Sequence, residues 1–379
     1  MSELPETILQ FGTGRFLRAF VDRFVHQANE AGHAVGRVVV VQSTAGSRAE
    51  GLAAQPEGYH VLVRGYEDGQ LVDRVDAVRS VSRALVARDA WPEVLQVARS
   101  HALRFVVSNA TEAGYVLDDN DRVDAAPPAT LPAKLTRLLW ERFQAGGSPL
   151  VMLPCELIER NADRLRDLVL TQAKRWSLPA PFADWVGKGC LWLNSLVDCI
   201  VTLPPADHPL AARDRMLVCA EPYALWAIGR PPGTDPGLWP HPAMHVVDDM
   251  TPYFLRKVRI LNGTHSAMVA KFKRAGFETV QQVMADREAV RWVRGLMYEE
   301  IVPVLAYRVD DVGAFADQTF DRLRNPFQAH KLADIAAHHA EKVKVRLQPT
   351  HDEYLRLFGR PPRRLAEVLA AVLAVEPTP

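Results

Sequence analysis

What the sequence holds little of narrows its class first. Only four cysteines occur in 379 residues, Cys155, Cys190, Cys199 and Cys219, and none is spaced as C-x-x-C. No zinc or thiol-redox motif is therefore written here, and scattered cysteines suit a reducing compartment. Neither sign of charge is in excess: 45 basic residues meet 45 acidic ones. The basic footprint of a nucleic-acid or membrane-surface protein is missing. No apolar run reaches the roughly 18 residues of a membrane span. MSELPETIL offers no basic segment leading into an apolar one, so no signal peptide is expected. Internal repeats and low-complexity segments are lacking too. These absences predict a cytoplasmic chain without nucleic-acid or membrane partners.

What is present has the length for two domains, since one core rarely extends over 379 residues. ETILQFGTGRFLRAFVDRFVHQAN opens with a strand at residues 6–11 and a tight turn at Gly12-Thr13-Gly14. Leu17, Phe20, Val21 and Phe24 then recur at helical spacing, and RVVVVQS at 37–43 is a second buried strand. Strand, glycine turn, helix and strand make the dinucleotide-binding unit, whose glycines let a pyrophosphate approach the backbone. The cofactor-side candidates here are Phe11, Gly12, Gly14, Arg15 and Phe16. The third small residue of G-x-G-x-x-G is replaced by Leu17. At the end of the second strand Gln42 and Ser43 stand where an acid usually holds the ribose, which leaves NAD and NADP both open. A third strand, 104–108, ends in NATEAG, so Asn109, Thr111 and Glu112 join the cofactor candidates.

Further along, the pattern predicts a helix at 132–144, a strand at 150–153, then a loop and an amphipathic helix. LWLNSLVDCIVTLPP embeds Asn194 and Asp198 among apolar residues, and a buried carboxylate needs partners. His241, His245, Asp248 and Asp249 lie close in sequence, but in a loop-then-strand context, and no metal site is expected. The Pro/Gly-rich 229–242 is a loop ahead of a domain boundary near 250.

DDMTP at 248–252 predicts a helix start, with Thr251 as N-cap and Pro252 as the first helical residue, running through Ala270. On that helix Lys257 sits at 0°, His265 at about 80° and Asn262 at about 140°, all on one side. Oxidising a secondary alcohol needs a base, which a desolvated lysine supplies. An amide donor stabilises the developing alkoxide. Gly263, costing roughly 1 kcal/mol in a helix interior, is expected to make room for a ligand.

K-x4-N-x2-H on a helix, together with ILQFGTGRFLRAFVD, RFVVSNATEAG, LPCELIERNADRLRDLVL, YEEIVPVL and RLRNPFQAHKL, resembles the polyol-specific long-chain dehydrogenase/reductase (mannitol dehydrogenase) family across nearly the whole chain. The resemblance implies an α/β fold: a Rossmann-like doubly wound domain, 1–248, and a mostly helical substrate domain, 249–379, with the substrate between them. It implies a metal-independent, NAD-dependent oxidoreductase acting on a small sugar acid or polyol, as a monomer or small homo-oligomer. Carried over by position, Lys257 is the general acid/base, Asn262 the oxyanion donor and His265 a substrate-positioning residue. Arg322, Arg324, His330, Asp198 and Asn194 are substrate-side candidates, with Arg322 or Arg324 facing a uronate carboxylate. Cys155-Glu156-Leu157 stands where mannitol-acting members carry CDN. That favours a keto-uronate/aldonate pair such as tagaturonate and altronate, ahead of fructuronate/mannonate or fructose/mannitol. Cys199 replaces a usual arginine, and family members continue with further helices beyond RRLAEVLAAVLAV. A dinucleotide-binding protein without catalysis is the alternative from another class.

Overall fold

The computed structural model describes residues 3–110 and 112–373. Two compact units emerge. The first comprises residues 1–63, 74–220 and 224–248; the second comprises 64–73, 221–223 and 249–379.

Among the described residues thirteen strands run in chain order: β1 (Glu6–Phe11), β2 (Arg37–Gln42), β3 (Tyr59–Glu67), β4 (Gln70–Val78), β5 (Val81–Val86), β6 (Phe105–Ser108), β7 (Val151–Pro154), β8 (Leu191–Trp192), β9 (Ser195–Asp198), β10 (Val201–Thr202), β11 (Val218–Ala220), β12 (Leu225–Gly229) and β13 (Met244–Val247). Six of them form one sheet in the order β5-β2-β1-β6-β7-β8, parallel throughout. That is the doubly wound dinucleotide-binding order, and its direction reverses between β1 and β6.

Side-chain alternation explains why such apolar strands are stable only with both faces covered. Ile8, Val38, Val40, Phe105 and Val107 face one core with Phe20, Phe24 and Trp226. Leu9, Phe11, Val39, Val41 and Val106 face the other with Trp91, Leu135, Leu138 and Leu139. The first helix is not the continuous one its spacing suggests. Arg15–Ala19 is a short segment, the backbone breaks at Phe20 (φ −118°, ψ −86°), and Val21–Glu30 continues beyond. Two smaller sheets, β10-β11-β3-β4 and β13-β12-β9, hold the remaining strands, and residues 64–73 of β3 and β4 group with the second unit. β3 and β4 are joined by Asp68-Gly69, both at positive φ, the dipeptide that a tight hairpin requires.

The second unit is mostly helical, and its core gathers Ile260, Met268, Val293, Leu296, Phe315 and Leu365. Glu300, from YEEIVPVL, accepts from the backbone N–H groups of Arg364 and Leu365 and so caps the helix Arg363–Leu373. The helix over 251–270 departs from expectation in two ways. Met250, not Thr251, precedes its first residue, and Asp249 Oδ1 accepts from the Thr251 N–H at 2.8 Å. Thr251–Arg256 and Gly263–Phe272 are α-helical, but Lys257–Asn262 between them is a π turn. No helix among the described residues is long and apolar enough to cross a membrane.

Candidate active site

In the first unit the glycine turn leaves the carboxyl end of β1, beside the switch point. Gly12 has φ +135°, and a Cβ there would meet Leu17 Cδ1 at 2.9 Å. Only glycine fits that position. A Cβ on Gly14 would meet nothing within 4 Å, so open space lies in front of this residue, which precedes Arg15–Ala19 with no side-chain cap. A helix start that opens on free space fits a dinucleotide pyrophosphate. Phe11 is in the core, Phe16 stacks on Phe20 at 4.7 Å, and Arg15 is exposed.

The polar residues at the strand ends are largely engaged with their own backbone. Gln42 Oε1 accepts from Ala49 N at 2.8 Å, and its Nε2 donates to Gly46 O at 2.6 Å and Thr44 O at 3.1 Å. Gln42 thus builds the loop after β2 and has no free edge for a ribose. Asn109 Nδ2 donates to Cys155 O at 2.7 Å, tying the loop after β6 to the end of β7. Thr111 lies outside the described residues; the backbone of Glu112 begins a short 3-10 turn, Glu112–Gly114. Glu156 is buried, accepting from Ala110 N at 2.9 Å and from the Tyr115 hydroxyl at 3.0 Å, and burial raises its carboxyl above the usual range. It is a second anchor of the same loop. The sequence reading missed this, although an acid directly after the buried strand PLVMLPC was a visible signal.

Asn194, expected beside the substrate, caps a helix. Its Oδ1 accepts from Ala162 N and Asp163 N, the first turn of Asn161–Arg175, while Nδ2 donates to Asp163. Asp198 is buried at the end of β9, opposite Leu225 of β12. His241 stacks on Phe24 at 4.0 Å and meets Gln27 Oε1 at 2.9 Å, and burial takes its pKa down to about 4. Asp248 pairs with Arg230. Among the described residues no group of three or more potential metal ligands gathers.

In the second unit Lys257 is buried at the first position of the π turn, Asn262 is half-buried at its last, and His265 is buried one turn on. A π turn closes i→i+5 rather than i→i+4 hydrogen bonds, and such turns recur at functional sites. Widening the turn over these residues swings Asn262 back from its α-helical 140° toward the face of Lys257. The His265 ring packs edge-on against that of His330, centroids 5.1 Å apart, and desolvation lowers the His330 pKa. Gly263 has a different reason from the expected one. A Cβ there would lie 3.3 Å from Leu347 Cδ2 and 3.5 Å from Arg346 O, so the glycine admits a neighbouring helix rather than a ligand.

The arginines of RLRNP divide. Arg322 is buried and makes a two-pronged ion pair with buried Glu221, Nε to Oε2 at 2.9 Å and Nη2 to Oε1 at 2.8 Å, with its guanidinium carbon 4.2 Å over the Tyr223 ring. Two of its N–H groups are thus taken by a protein carboxylate where a substrate carboxylate was expected. Arg324 lies 4.0 Å over the Tyr66 ring and pairs with Asp321 at 2.9 Å; its Nε meets no acceptor among the described residues.

Comparison with known proteins finds relatives along nearly the whole chain. The mannitol dehydrogenase Rossmann domain matches residues 6–236, and the mannitol dehydrogenase C-terminal domain matches 249–375. Altronate oxidoreductase of Bacillus subtilis (strain 168) is 37% identical over 98% of this chain and 80% of its own length. Altronate oxidoreductase of Escherichia coli O1:K1 / APEC is 39% identical over the same shares. Two solved structures share the fold. Mannitol 2-dehydrogenase of Pseudomonas fluorescens, in ternary complex with NAD and D-mannitol, superposes with a TM-score of 0.76 at 23% identity, covering 98% of this chain and 79% of that one. Substrate-free D-sorbitol dehydrogenase gives 0.82 at 23% identity, covering 99% and 81%.

Proposed function

The chain belongs to the mannitol dehydrogenase family, and from that premise we propose that it is an NAD-dependent oxidoreductase interconverting a keto-uronate and its aldonate, tagaturonate and altronate, in the cytoplasm. The observation that carries the reading is the π turn, which opens on buried Lys257 and closes on Asn262, with His265 beyond it against His330. The altronate oxidoreductases at 37–39% identity support the substrate class.

The backbone of Gly12–Gly14 would hold the cofactor pyrophosphate, a role that the open space at Gly14 fits. The bound nicotinamide supplies or accepts the hydride. Lys257 gives its Nζ proton to the keto oxygen during reduction and takes it back during oxidation. The Asn262 amide donates to the same oxygen as charge develops on it. His265, held by the edge of His330, orients a neighbouring substrate hydroxyl. Arg322 is committed to Glu221; Arg324, whose Nη2 pairs with Asp321 while its Nε meets no acceptor among the described residues, would be the partner of the uronate carboxylate.

The test is nicotinamide absorbance with NADH or NADPH against tagaturonate, fructuronate and fructose. NADH oxidation with tagaturonate is the expected result. Turnover on fructuronate or fructose alone moves the substrate, and NADH binding without any turnover favours a binding-only protein. Lys257→Ala should lower kcat by about 10²–10⁴-fold and leave the Kd for NADH unchanged. Retained turnover in that variant removes the lysine from its role.

A further inference from the structure

Several arginines of the helical unit are answered by protein groups. Arg322 forks onto Glu221, Arg364 pairs with Glu299 and Glu300, and Arg259 donates to the Thr350 hydroxyl at 2.9 Å. Arg256 is answered by none. It ends the helical segment Thr251–Arg256 and is half-buried. Among the described residues its side chain makes no ion pair and no hydrogen bond, and its Nε is closed off from solvent with no acceptor.

What holds Arg256 is aromatic. Its guanidinium carbon lies 4.3 Å from the centre of the Tyr253 ring, one turn back on the same segment, and 5.1 Å from that of Phe315 in the helix Val312–Leu323. Ring faces orient a guanidinium and leave its N–H edge for a planar oxyanion. A half-buried cation that is oriented but not neutralised draws a counter-ion. The address of Arg256 says which. It directly precedes Lys257, about 100° round the helix from it, at the entrance of the π turn. In a keto-uronate the carboxylate stands several carbons along the chain from the keto carbon. The group that holds it must therefore flank the base rather than share its face. Part of the Arg324 charge is already answered by Asp321; no protein carboxylate pairs with Arg256 among the described residues.

The geometry points to Arg256 as a substrate-binding residue that sets specificity for a charged substrate: its terminal nitrogens donate to the uronate carboxylate while Lys257, next to it, works at the keto oxygen. This rests on the keto-uronate reading above, and Arg324 remains the second cation for that carboxylate. The carboxylate takes no part in hydride transfer, so it is held equally in the ground and transition states. Loss of the contact is therefore read in KM and hardly in kcat.

The experiment is steady-state kinetics with NADH and tagaturonate for wild type, Arg256→Met and Arg256→Lys, with the Kd for NADH and the melting temperature taken on the same samples. The methionine variant keeps an apolar stem on the rings and removes the charge; the lysine variant keeps the charge and loses the fork. Arg256→Met should raise the KM for tagaturonate by about 30–100-fold, with kcat within a few-fold of wild type and NADH affinity unchanged. The KM of Arg256→Lys should fall between the two. Three results overturn the proposal: an unchanged KM in Arg256→Met, a kcat lost at unchanged KM, or a lysine variant no better than the methionine one. Should Arg256→Met lose its melting transition, Arg256→Lys decides alone, and a wild-type KM in it rejects the contact. Wild type that turns over a neutral ketose but not tagaturonate removes the keto-uronate reading and this proposal together; tagaturonate turnover with unmoved variant KM values removes this proposal alone.

Discussion

Arg322 and Glu221 place opposite charges 2.8 Å apart with side-chain exposures of 3% and 1%. Desolvating two such groups costs nearly as much as their attraction returns, so the pair adds little net stability, but removing one partner strands a buried charge. Glu221→Ala or Arg322→Ala should each lower unfolding free energy by about 3–5 kcal/mol in a denaturant titration. The double variant Glu221→Leu/Arg322→Met should lose much less than the sum of the two. Additive losses would mean that the ion pair is not what holds these side chains. At this scale the sequence was informative about chemistry and silent about address. Lys257, Asn262 and His265 stood out because three unlike polar groups interrupt an apolar stretch. Gln42 and Asn109 stood out at strand ends and Asn194 among apolar residues, yet their side chains serve nearby backbone. A polar group at the end of a strand satisfies either a ligand or a loop, and residue type alone does not separate the two. The Arg322 partner was invisible because Glu221 lies 101 residues away in the chain.

Elements add geometry that a fixed period hides. The parallel sheet was legible because runs such as RVVVV suit only strands covered on both faces. The Asp68-Gly69 hairpin was equally writable from its dipeptide. The π turn was not, since helical angles were read at 3.6 residues per turn and nothing in KVRILN marks the wider closure. Glycines in this region allow a direct check. Gly263→Ala gains up to about 1 kcal/mol of helix propensity but must settle against Leu347 Cδ2 at 3.3 Å, so near-neutral stability is expected. Gly65, at φ +146°, is harsher: a Cβ there would sit 2.6 Å from Asn325 Nδ2, which donates to Arg64 O at 3.0 Å. Gly65→Ala should cost more than about 2 kcal/mol in the same assay. A Gly65→Ala protein as stable as wild type would show that the hairpin tip yields freely.

The whole molecule is two units interleaved along one chain. The helical unit includes residues 64–73 and 221–223, so the hairpin tip and Glu221 belong with helices encoded much later. Within that unit Arg64 lies 4.2 Å over the Phe327 ring and Tyr66 lies under Arg324. A fragment of residues 249–379 therefore keeps Arg322 without its carboxylate and Phe327 without its cation. It should lack a cooperative thermal transition by circular dichroism, whereas the full chain melts sharply. A cooperative melt of the fragment would show that these early segments are dispensable. The same interleaving sets a schedule during synthesis. Arg64 and its partner Asn325 are 261 positions apart, and a ribosome adding about 5–20 residues per second takes on the order of 10–50 s to cover that stretch. For that interval the hairpin tip is on the growing chain without the helices that will hold it. The exposed aromatic edge of Tyr66 is then a natural handle for a chaperone, and slowing translation before codon 325 lengthens the time in which the nascent protein needs one.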